Sequence, residues 1–269
     1  MQESFEVAEM SYDSQEVIEA YERNAQIEDA SEKKPSLRVE IPREFIKKVL
    51  QPSDVVLDAG GGTGVNAILM ARVCQKVTLL DITPGILELA AQNVRASGLS
   101  EKVELVEGDI TDLSRFSDKS FSFVVCVGDA ISYVLDGRFK AIGELVRVAQ
   151  EGSILIVGCD SKLGFMRMKL AQGLLEEALE IQEVSQCHCG MGPRTHLCTV
   201  DEMTELLEGQ GCKVLEVAST PTFADTLDTS QYIEQRKWAE LKALELEMCT
   251  RPELLGMGLH LLFVARKQR

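Results

Sequence analysis

From residue 36 to residue 158 short apolar runs alternate with stretches of helical patterning, and this alternation narrows the possible folds more than any other feature of the chain. A strand that must pair with a parallel neighbour needs a crossover, and a helix supplies it, so the pattern predicts an α/β fold with helices on both faces of a parallel sheet. Strands are predicted at 54–58, 76–81, 102–109, 121–127 and 153–158, with helices at 64–74, 84–97 and 138–148. Thr83 before Pro84 gives the second helix a capping hydroxyl and a proline whose missing N–H costs nothing in the first turn.

The pattern changes after residue 158. Residues 162–184 read as one long helix whose Met166, Met168, Leu170, Leu174 and Leu175 form a core stripe, and 185–197 as a loop rich in Cys, His and Gly. Thr199 with Glu202 makes a capping box that opens a helix to Gly209. A strand at 212–218, a helix over 228–249 and a last strand at 259–267 follow. The first thirty residues are patterned as a helical cap. The expected organisation is a cap over 1–35 and one domain over 36–269, with an insertion at about 161–198. A chain of 269 residues with 45% hydrophobic content can bury one sizeable core.

Lys and Arg number 28 against 43 Asp and Glu, a net charge of −15 that repels a phosphate backbone, so tRNA is possible but disfavoured and a small-molecule acceptor is expected. Residues 1–19 are acidic and lack a secretory pattern, and no apolar run approaches the ~18 residues of a membrane span. A cytoplasmic protein without a membrane partner is expected, with its eight cysteines as reduced thiols.

The sharpest local signal is the predicted strand ending in Asp58, followed by Ala59, Gly60, Gly61, Gly62, Thr63 and Gly64 and then a helix. Glycines let the backbone turn tightly and let a ligand approach the helix N-terminus. Gly62, Gly64 and Ala67 also satisfy a dinucleotide fingerprint, so the glycines alone do not choose the ligand. Charge does: Asp58 would repel a pyrophosphate, whereas S-adenosylmethionine (SAM) brings an ammonium and a sulfonium. Two further carboxylates fall at strand ends, the side of an open α/β sheet where ligands bind. Asp81, followed by Ile82, is placed to accept from ribose hydroxyls. Asp109 is placed to accept from an adenine amino group, with the Ile110 N–H reaching a ring nitrogen. Taken singly, each of these acids also reads as a turn or helix cap.

Segments 55–64, 77–81, 103–110 and 121–127 resemble the four core motifs of class I SAM-dependent methyltransferases. Within that family, 56–71 and 244–267 are similar to the bacterial enzymes that esterify the carboxymethoxy group of a tRNA wobble uridine. The resemblance implies a Rossmann-like, seven-stranded, mostly parallel sheet whose last strand is antiparallel. It also implies that Arg38 grips the methionine carboxylate of the cofactor and that Val127 lines the adenosine site. Arg38 read from its neighbours alone is equally a solvated helix residue. The chain departs from the wobble-uridine enzymes in its insertion, where their lysine run is replaced by Arg194 alone. After the fourth strand, residues 128–133 lack the Asn/Asp-Pro-Pro-Tyr pattern of methylation on base amino groups.

Methyl transfer from a sulfonium is an in-line displacement, for which the protein mainly holds and desolvates the acceptor. Where the acceptor must lose a proton, Asp129, Tyr133, His188 and His196 are the candidate bases. Tyr133 equally fits a packed rim. Cys187, His188, Cys189, His196 and Cys198 crowd into twelve positions, but their spacing matches no standard structural zinc site, and no metal is expected there. Beside the small-molecule methyltransferase stand a tRNA-modifying methyltransferase, a non-catalytic SAM-binding partner protein and, least favoured, an NAD-dependent oxidoreductase.

Overall fold

The computed structural model describes residues 11–188 and 192–269. Two helices come first, α1 (Ser14–Glu32) and α2 (Leu37–Val49), before the sheet begins with β1 (Val55–Ala59). The alternating unit follows as α3 (Val65–Ala71), β2 (Lys76–Asp81), α4 (Pro84–Ala96), β3 (Val103–Glu107), β4 (Phe121–Cys126), the short α5 (Ala130–Tyr133), α6 (Arg138–Val148) and β5 (Ala149–Asp160). The remainder is α7 (Lys162–Ala171), α8 (Leu175–Val184), β6 (Gln186–His188), β7 (Arg194–His196), α9 (Val200–Gly209), β8 (Cys212–Thr220), α10 (Ser230–Glu234), α11 (Trp238–Met248) and β9 (His260–Lys267).

Seven strands form one sheet in the order β3-β2-β1-β4-β5-β9-β8. The first five run parallel, and β9 pairs antiparallel with both β5 and β8. Chain order reverses between β1 and β4, which opens a crevice at their C-terminal ends, the ligand position of open α/β sheets. Alternation along each strand divides the core. Leu57, Val124 and Leu155 pack with α6 and α9 on one face, and Val56, Val125 and Ile156 with α2, α3 and α11 on the other.

The parallel half of the sheet follows the sequence pattern, and the second half corrects it. Residues 162–184 are two helices, because Gly173 takes φ 77° and turns the chain between α7 and α8. The expected core stripe is not enclosed: Met166 and Met168 are half-buried and Leu170, Leu174 and Leu175 are exposed, while Phe165 beside them is buried. The 185–197 loop contains a hairpin, with Gln186 opposite His196 and His188 opposite Arg194. Residues 228–249 are likewise two helices, broken where Arg236 takes φ 57°. Thr199 caps α9 as expected by accepting from Glu202 N at 3.1 Å. Thr83 does not cap α4 with its hydroxyl. Glu22 of α1 instead accepts from Gly85 N at 2.8 Å and so ties α1 to the start of α4.

Near the C-terminal end of β8 the chain turns around one carboxylate. Glu245 of α11 is fully buried and accepts from the backbone N–H groups of Thr222 (2.7 Å), Phe223 (3.0 Å) and Ala224 (2.8 Å).

Candidate cofactor and acceptor site

β1 delivers Asp58 and Ala59 into the glycine loop, where Gly60, Gly62 and Gly64 take φ values of 67°, 56° and 86°. These angles favour glycine, and Gly60 has no room besides: a Cβ there would stand 2.6 Å from Ala130 Cβ. Asp81, the last residue of β2, fixes the loop. Its Oδ2 accepts from Gly62 N and its Oδ1 from Thr83 N, both at 3.0 Å, and each oxygen keeps a further lone pair. Beyond β3, Asp109 accepts from Thr111 N and from the Tyr12 hydroxyl, both at 2.7 Å. Strand β3 stops at Glu107, two residues short of the expected end.

One cavity runs along these strand ends. Gly60, Gly62, Asp81, Ile82, Asp109 and Ile110 line one end, and Arg38, Val127, Asp129 and Tyr133 line the other. Asp58, Ala59, Gly61 and Gly64 do not line the cavity. His196 also lies elsewhere, on β7, with Nε2 2.7 Å from Glu202 Oε1, while His188 is exposed and its Nδ1 faces the Gly192 carbonyl. None of the described residues of the 161–198 insertion lines the cavity. The roof is α1 with the residues just before it, contributing Tyr12, Tyr21, Glu28 and Glu32. Tyr21 meets Tyr133 edge-on, with ring centroids 5.7 Å apart.

The cavity gathers negative charge. Asp58 is buried with Oδ2 unpartnered among the described residues, and burial, helped by Glu32 and Asp81, pushes its carboxyl up to about 7. Burial likewise pushes Glu32 up to about 7, although the Thr63 hydroxyl donates to it. Glu28 and Asp81 are raised by burial as well. At the far end Arg38 donates to Asp129 Oδ2 at 2.8 Å, and Asp129 sits below the usual carboxylate range because Arg38 and His260 outweigh its burial. Asp160 is raised by burial and by Asp129.

This arrangement fits a cation that brings its own positive charge, and it carries a linkage of definite sign. Below about pH 7 the raised Asp58 and Glu32 hold protons that a cationic ligand displaces, so SAM affinity is expected to rise from pH 6 to pH 8 and then flatten. Carboxyl pKa values raised in the folded state also mean that the unliganded protein loses stability as pH rises from about 4 through about 7, with little further change above that. Titration calorimetry in two buffers of different ionisation enthalpy checks this. Equal heats and a pH-independent affinity would show that neither carboxyl couples to the ligand.

Sequence reasoning missed the roof acids Glu28 and Glu32, which share one helix face at i and i+4 but meet the loop only through tertiary packing. It also missed Asp160 and His260. Asp160 carried the same strand-end signal as Asp81, but the strand was expected to stop at 158. In the hairpin, Cys187 and Cys198 are buried, and His196, Cys198 and Glu202 place ligand-type atoms within 4.8 Å of one another. Cys189 lies outside the described residues.

Residues 56–152 match the methyltransferase domain family. An uncharacterized protein of Methanocaldococcus jannaschii is 22% identical over 152 residues, 55% of this chain and 58% of its own length. The next two curated relatives are matched over only 34% and 41% of their lengths. The tRNA 5-carboxymethoxyuridine methyltransferase of Escherichia coli O157:H7 is 24% identical over 79% of each chain. Among solved structures, the [4+2]-cyclase SpnF superposes with TM-score 0.65 at 19% identity, covering 96% of this chain and 97% of its own. That likeness concerns the fold, which hosts more than one chemistry. The glycine loop with its strand-end acids, the sheet order and the family match converge on one conclusion: residues 56–152 form a methyltransferase domain of the class I, SAM-dependent kind.

Proposed function

We propose that the chain transfers a methyl group from SAM to a small-molecule acceptor in the cytoplasm. The observation that supports this most is the single cavity that joins the glycine loop to the Asp129 end beneath α1. Gly60 and Gly62 form the cradle, Asp81 and Ile82 take the ribose, and Asp109 and Ile110 take the adenine, with Val127 beside it. The unpartnered Asp58 oxygen supplies the negative field for an ammonium, and Arg38, whose Nη2 stays on Asp129, offers its remaining N–H groups to a carboxylate. SAM when bound supplies an electrophilic methyl on a sulfonium. The chain's own contribution is alignment and exclusion of water: Tyr21 and Tyr133 close the roof onto the floor, and Asp129 lies at the far end to orient an acceptor hydrogen.

The wobble-uridine relative supports a second reading, methylation of tRNA, because it is similar along 79% of this chain. Charge weighs against it. Lys33, Lys34, Arg43, Lys47 and Lys242 do gather around one shallow hollow, but Glu32, Glu40 and Glu44 line it too. Lys33 is paired with Asp29, Lys47 with Glu44, and Lys242 with Glu40 and Glu44. A surface already neutralised from within releases few counterions from a phosphate backbone.

Calorimetry is expected to show micromolar binding of SAM and of its demethylated product, S-adenosylhomocysteine, and none of NAD. Heat with NAD and none with SAM would overturn the assignment. Labelled SAM incubated with a metabolite extract and, separately, with bulk tRNA then chooses the acceptor. Label in small molecules is expected. A tRNA complex that survives about 200 mM salt, with label in the tRNA, would replace the small-molecule reading by the second one.

A further inference from the structure

Three side chains meet at the acceptor end of the cavity with their ligand-type atoms turned toward one another. Asp129 follows β4, Asp160 ends β5, and His260 begins β9 directly opposite Asp160 in the antiparallel register. Asp129 Oδ1, Asp160 Oδ1 and His260 Nδ1 are all buried, and none has a hydrogen-bond partner among the described residues. Nδ1 stands 3.0 Å from Asp160 Oδ1 and 3.3 Å from Asp129 Oδ1, yet neither contact has the angles of a hydrogen bond.

We propose that these three atoms form a binding site for one divalent cation. Donors held about 2.1 Å from a cation, at angles of about 90–109°, stand about 3.0–3.4 Å apart; His260 Nδ1 has that spacing to each carboxylate oxygen, and all three atoms lie within 4.8 Å of one another. The second oxygen of each carboxylate is already taken by a fixed donor. Arg38 holds Asp129 Oδ2 at 2.8 Å, and the Thr195 hydroxyl holds Asp160 Oδ2 at 2.5 Å. Outer contacts of this kind aim the inner oxygens at a common point, as they do around bound metals. The Asp160 side chain is 1% exposed, so its Oδ1 is costly to leave without a good partner, and a cation is one that satisfies all three atoms at once. Asp129 and His260 line the cavity, which leaves the remaining coordination positions on the open side.

Two carboxylate oxygens and one imidazole nitrogen suit Mn2+ and, with more retained water, Mg2+. The open positions would take an acceptor through oxygen, which marks a hydroxylated or carboxylated molecule as the substrate class. That placement of the acceptor rests on the proposed methyl transfer, whereas binding of the cation does not.

Mn2+ titration followed by electron paramagnetic resonance, on the full chain, tests the site. One Mn2+ per chain is expected, displaced by excess Mg2+. Asp160→Asn and His260→Gln are each expected to weaken it by about tenfold or more, and Thr195→Val by about tenfold. Cys198→Ser, at the separate His196, Cys198 and Glu202 cluster, is expected to leave Mn2+ binding unchanged. S-adenosylhomocysteine binding serves as the control for folding in every variant. No bound Mn2+ at about 1 mM in protein that still binds S-adenosylhomocysteine would overturn the proposal. So would unchanged affinity in both Asp160→Asn and His260→Gln, or loss of the site in Cys198→Ser. Mn2+ bound as expected by a chain that fails to bind SAM would sustain the site and strike the methyl-transfer reading alone.

Discussion

Asp81→Ala is expected to weaken binding of SAM and of S-adenosylhomocysteine by at least ~1–3 kcal/mol, about fivefold to a hundredfold or more. Two losses combine. The ribose hydroxyls lose a charged acceptor, and Gly62 N and Thr83 N lose the oxygens that hold the loop in its cradle. Direct calorimetry on protein that still melts cooperatively measures the effect. If Asp81 serves only as a turn cap, the melting midpoint falls while the dissociation constant of the surviving folded protein stays at the wild-type value.

Glu245→Ala is expected to produce the largest stability loss among single substitutions outside the cavity. Three backbone N–H groups around Thr222 would be left without their acceptor, at a cost of about 3–5 kcal/mol and a fall of about 10 °C in the melting midpoint. Glu245→Gln is expected to cost well under half of that. Both Phe223 N and Ala224 N point at Oε1, so a carbamoyl oxygen in that place keeps two of the three bonds. Denaturant unfolding of the two variants decides the matter. Equal and small losses would mean that the 220–226 turn is held by its packing alone.

The parallel half of the fold was legible because its signal is local. A buried strand writes an apolar run, continuous at 123–126 and interrupted only by Thr78 at 77–80, and the helix that returns to the sheet writes a period of 3.6. The acids at 58, 81 and 109 were legible for the same reason, since a strand end can be located within a few residues. Gly173 could have divided α7 from α8, but the apolar pattern ran through it on both sides and masked the turn. The β6–β7 hairpin has three-residue strands, too short to show alternation. The roof was beyond local reading altogether: Tyr12 finds Asp109 across 97 positions and Glu32 finds Thr63 across 31. His260 acquires its meaning only from the antiparallel register that sets it against Asp160.

The acids of the roof and the floor of the cavity face each other. Glu28 and Glu32 descend from α1 toward Asp58 and Asp81, so as these groups ionise above about pH 7 the cover and the base of the pocket repel one another unless a positive ligand lies between them. Charge therefore acts as a latch. A ligand that arrives as a sulfonium holds α1 down, and the same ligand after losing its methyl is a neutral thioether that holds it less. Under the proposed reaction the chemical step is expected to loosen the cover over the spent cofactor, and faster amide hydrogen exchange in α1 with S-adenosylhomocysteine bound than with SAM bound checks this.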